Sequence, residues 1–65
     1  MLKVEAEREA IRRWRELPRH ERATTEQASA FARKLMNELD FATSGDRYHF
    51  IEGWLHRDLL LRGRV

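Results

Sequence analysis

Apolar residues recur along this chain at spacings of three and four, and no stretch alternates with period two. That pattern predicts helices and no strand, an all-α fold. Ala6, Ala10, Trp14 and Leu17 form a first stripe, with Val4 and Ile11 on its flank. They predict a helix over about 2–17, stopped by Pro18 because the residue before a proline is pushed out of helical geometry. Ala28, Phe31, Ala32, Leu35, Met36 and Leu39 occupy one uninterrupted arc and predict a second helix over about 24–40. Thr24 followed three residues later by Gln27 is a capping-box start for it. A third helix is predicted over about 45–62, opened by Thr43 or Ser44 as cap with Asp46 at its positive end, and closed by Gly63. The connections are short, so the expected architecture is a small three-helix bundle forming a single domain over 1–65.

The third helix carries Tyr48, Phe50, Ile51, Trp54, Leu55, Leu59 and Leu61 around about half of its circumference, wider than a one-sided stripe. Arg47, Asp58 and Arg62 interrupt that arc. A face this wide needs two intramolecular neighbours, or one neighbour and a partner chain. The second option makes protein–protein contact the leading expectation, by self-association as a homodimer or as a small adapter or regulator. Phe50, Trp54, Arg57, Leu60 and Leu61 are the expected interface, since aromatics beside arginine compose well-packed contact centres. Gly53 falls mid-helix, where glycine costs about 0.5–1 kcal/mol relative to alanine, which hints at a close approach to its backbone.

Composition narrows the chemistry. Sixty-five residues bury only a small core, and there is no cysteine to brace it, ligate zinc or act as a nucleophile. No enzymatic activity and no cofactor are expected. No apolar run approaches the about 20 residues that span a bilayer, and a cytoplasmic protein without membrane contact is the expectation. His49, Glu52 and His56 share a helical face and are legitimate metal-ligand types, but they offer only three ligands without the zinc-protease spacing. The simpler reading places them on a solvated face and binds no metal.

Charge adds one alternative. Thirteen basic and eleven acidic side chains leave +2. The sequence pI of about 9.7 reflects arginine, which holds its proton to very high pH, more than it reflects a large positive field. Arg8, Arg12, Arg15, Arg19 and Arg22 concentrate in one segment, and guanidinium groups match phosphate oxygens. A nucleic-acid-binding module built on that segment is therefore the competing reading. Against it, Glu9, Glu16 and Glu21 are near enough in sequence to pair with several of these arginines.

Overall fold

A computed structural model describes residues 1–62. It contains three α-helices, α1 (Lys3–Arg15), α2 (Thr25–Met36) and α3 (Arg47–Arg62), with a single 3-10 turn at Arg19–Glu21 between the first two. Among the described residues there is no strand, and no helix is long and apolar enough to cross a membrane. The anticipated three-helix bundle is therefore the fold. Gly63, expected to end α3, lies outside the described residues.

The helix ends follow local chemistry. Leu2 N–H donates to Glu5 Oε1 at 2.8 Å, which satisfies an orphan donor at the start of α1. That helix stops at Arg15, earlier than Pro18 requires: Glu16 N–H is shared between the Arg12 and Arg13 carbonyls, and Leu17 N–H donates to Trp14 C=O in a tighter last turn. The capping box of α2 forms as expected: Thr24 Oγ1 accepts from Gln27 N–H at 3.1 Å, and Gln27 Oε1 accepts from Thr24 N–H at 3.0 Å. Its regular part ends at Met36, and Leu39 reaches the core through a final turn whose N–H donates to Leu35 C=O. For α3 the cap is Asp46 itself, whose Oδ1 accepts from Tyr48 N–H at 3.0 Å. Thr43 instead accepts from Gly45 N–H inside the connection.

Packing is organised around small residues. Ala6 and Ala10 on α1, and Ala28 and Ala32 on α2, have no accessible surface. They let the helices approach closely, and Trp14, Leu35, Leu39, Ile51 and Leu55 fill the space between. Trp14 meets Phe31 with ring centroids 5.7 Å apart, and Trp54 meets Phe41 at 5.5 Å. The most extensive contact is between α2 and α3, followed by α1 with α3. Cross-helix pairs give the directions: Ser29 with Glu52 and Arg33 with Tyr48 set α2 antiparallel to α3. Lys3 over Phe50, Glu7 with Arg57 and Arg15 with Asp58 set α1 alongside α3 in the same sense.

The wide arc of α3 is mostly enclosed by its own chain. Ile51 and Leu55 are fully buried. Trp54, expected at an interface, is 8% exposed and belongs to the core, held by Phe41 and Phe50. Phe50 is partly buried under the Lys3 ammonium, which lies 3.7 Å from its ring centroid. Phe41, from the α2–α3 connection, acts as an additional cover for α3. Only the last turn stays open, with Leu60 and Leu61 exposed by 70% and 73%. Gly53 faces open space, with nothing within 4 Å of where a Cβ would stand. No close approach explains it.

Candidate functional site

Three features of the surface have enough chemistry to act. Two are polar clusters on α3, and the third is a groove on α1 in which Val4 and Ile11 are the apolar residues.

The first cluster surrounds Glu52. Its Oε2 accepts from Ser29 Oγ and from Tyr48 O–H, both at 2.7 Å. Ser29 comes from α2 and Tyr48 from one turn earlier on α3, so the carboxylate clips the two helices together. These two hydrogen bonds, Tyr48 first, hold the Glu52 carboxyl below its ordinary range, with smaller help from His56 and His49. Glu52 is thus not a freely solvated residue. His49 is exposed and edge-on to Phe50 at 6.3 Å. The His56 Nε2 is buried without a hydrogen-bond partner. Among the described residues, no three His, Cys, Asp or Glu side chains are grouped to hold a metal ion, so His49, Glu52 and His56 are not brought together as ligands.

The second cluster surrounds Asp58, which is 5% exposed. Its Oδ1 accepts from Arg15 Nη2 at 2.8 Å and Arg15 Nε at 3.2 Å. Arg62 Nε lies 3.6 Å from the same oxygen. The other oxygen, Oδ2, is buried with no partner. Asp58 and Trp14 border a cleft of about 430 Å³ whose other walls are Arg19, Arg22, Ala23, Leu59 and Arg62. Arg22 is held in place by donating its Nε to the Leu17 C=O at 2.9 Å.

The arginine segment is divided by these contacts. Arg12 is bridged to Glu9 and Glu16, and Arg13 to Glu9 and Glu38. Hydrogen bonds from Arg12 and then Arg13 lower the Glu9 carboxyl to about 2, and Glu9 in turn raises Arg12. Arg15 is committed to Asp58. Among the described residues, Arg8 and Arg19 make no ion pair. The five candidate phosphate-binding arginines therefore do not lie on one face. Arg8, Arg12 and Arg15 lie along α1, whereas Arg19 and Arg22 turn towards the end of α3.

The third feature is a shallow groove on the outer side of α1, lined by Val4, Glu7, Arg8, Ile11, Arg12, Arg15 and Glu16. Val4 is 53% exposed, and Met1 and Leu2 before it are exposed too. Glu7 Oε2 accepts from Arg57 Nη2 at 2.8 Å. That pair and Arg15–Asp58 place α3 beside this groove. Leu61, one turn beyond Arg57, falls on the edge of α3 nearest α1 by helical geometry.

Sequence reasoning passed over Asp58, Ser29 and Tyr48 as site residues. For Asp58 a signal existed: a carboxylate inside an apolar arc needs a buried partner. Compared with protein-family models, with curated proteins and with solved structures, the chain matches none.

Proposed function

We propose that this chain works by protein–protein contact, as a non-enzymatic cytoplasmic helical module whose partner is a second copy of itself. The observation that supports this most is the groove along α1 in which exposed Val4 and partly exposed Ile11 stand seven residues apart among charged side chains. A seven-residue repeat of this kind is the period of a helix-pairing seam, and it runs along the flank of the face that buries Ala6, Ala10 and Trp14.

Val4 and Ile11 can pair with each other across a two-fold axis. In an antiparallel α1–α1 pair with its two-fold axis between Glu7 and Arg8, Val4 of each copy meets Ile11 of the other. Glu7 of each copy then meets Arg8 of the other. A closed two-fold contact requires this reciprocity. Lys3 does not oppose Arg12 across the axis, because Lys3 is turned onto Phe50 and Arg12 is held by Glu9 and Glu16. Leu61, at the adjoining edge of α3, extends the contact, and Arg57 contributes by holding Glu7 in position. Leu60 points to the far side of α3, near Gly53, and takes no part. Phe50 and Trp54 supply rigidity from beneath.

One helix pair is at or below the small end of specific interfaces, about 1,200 Å², so the dimer is expected to be micromolar or weaker. Sedimentation equilibrium from about 10 µM to 1 mM tests it. The expected result is a monomer–dimer equilibrium that Ile11→Glu shifts to monomer without loss of helical circular dichroism. A monomer throughout that range overturns the reading.

A further inference from the structure

We propose that the cleft between the 3-10 turn and the end of α3 binds a phosphate group. Arg19 and Arg22 reach it from the α1–α2 connection, and Arg62 reaches it from the last turn of α3. A single carboxylate, Asp58, borders the same cleft, and its Oδ1 is already claimed by Arg15. Three guanidinium groups, those of Arg19, Arg22 and Arg62, thus line one cleft with one acid, whose charge Arg15 already offsets from outside it. Like charges drawn from separate chain segments into one concavity repel, and a bound dianion is the simplest way to relieve that repulsion.

The geometry also suits the ligand. Arg22 is oriented by its Nε bond to the Leu17 C=O, which leaves its terminal nitrogens as donors. Arg19 makes no ion pair among the described residues, and Arg62 touches Asp58 only at 3.6 Å. Planar donor forks arriving from different directions match the tetrahedral oxygens of a phosphate. Trp14, Ala23 and Leu59 line the remainder of the cleft. The phosphate could belong to a small anionic metabolite or to a nucleic-acid backbone. Both present the same oxygens, and the cleft recognises those. This site lies apart from the α1 groove and does not depend on self-association.

Two-dimensional NMR of the full chain, observing backbone amides and arginine Nε–Hε groups, tests the assignment with inorganic phosphate at constant ionic strength. Saturable shifts at Arg19, Arg22, Ala23 and Arg62 are expected, absent with chloride. Replacing Arg19→Gln and Arg62→Gln together should weaken binding at least tenfold while leaving the helical spectrum intact. Lys34→Gln, which removes a positive charge elsewhere, should leave it unchanged. Shifts that grow linearly, that chloride reproduces, or that the double variant retains overturn the proposal. A short single-stranded oligonucleotide separates the two sources. Tighter binding than phosphate at the same residues, with a salt slope that falls by about one for each arginine removed, assigns the backbone source. Binding no tighter than phosphate assigns the small-molecule source.

Discussion

Glu52 and Asp58 sit six residues apart on α3, and each fastens that helix to a different neighbour. Glu52 takes two neutral hydroxyl donors on one oxygen and remains half-buried. Asp58 is buried, takes a charged fork on one oxygen and leaves the other unpaired. The first is an inexpensive clip, because its carboxylate keeps much of its solvent. The second is a buried pair: with Arg15 in place the charge is compensated, and without it the carboxylate keeps only the longer contact to Arg62 at 3.6 Å.

The sharpest way to break this comparison is Arg15→Leu. We expect a loss of about 2–3 kcal/mol in urea unfolding, reduced from the full buried-pair penalty because Arg15 is partly exposed and Arg62 stays nearby. The double variant Arg15→Leu with Asp58→Leu should recover most of that loss, since two apolar residues strand nothing. A double variant as weak as the single one would mean that Asp58 contributes through contacts other than the ion pair.

The Glu52 clip should respond more mildly. Tyr48→Phe and Ser29→Ala should each cost about 1 kcal/mol at neutral pH. The acid response carries a definite sign. Glu52 has its carboxyl lowered in the folded state, so its contribution is present above the unfolded value of about 4.3 and fades as pH falls through the lower folded one. The gap between the parent chain and Tyr48→Phe should therefore narrow from pH 6 to pH 3 in thermal melts. A gap that stays constant would remove the carboxylate from the account.

Gly53 lies between the two carboxylates in sequence, on the open side of the helix. Gly53→Ala should stabilise by about 0.5–1 kcal/mol, because alanine restricts the unfolded chain and meets nothing in the folded one. It also calibrates the comparison: it strengthens α3 itself without touching either cluster, so both larger effects should persist on its background.

Much of the architecture was legible in the residue pattern. The α2 stripe and its Thr24–Gln27 start were readable because capping and amphipathicity are local. The third helix was readable as unusually apolar, but the reason for its width was not. Phe41 covers it from the connection just before it and Lys3 from the start of the chain, and no helical spacing rule places them there. Helix ends moved by a few residues for the same reason: Asp46 displaced Thr43 and Ser44 as the cap once the connection had folded. The division of the arginines between Glu9, Glu16, Glu38 and Asp58 was only half visible. Pairs three or four apart can be read along a helix, whereas Arg13–Glu38 and Arg15–Asp58 depend on how the helices meet.

One amide side chain governs more than its helix start. Gln27 accepts from the Ala23 and Thr24 N–H groups and donates its Nε2 to the His20 C=O at 2.8 Å. It thereby ties down the backbone that carries Arg19 and Arg22. Freedom in that linker is thus restrained from a residue outside the cation-lined hollow, and amide exchange across 19–24 should quicken in Gln27→Ala well before the bundle itself loosens.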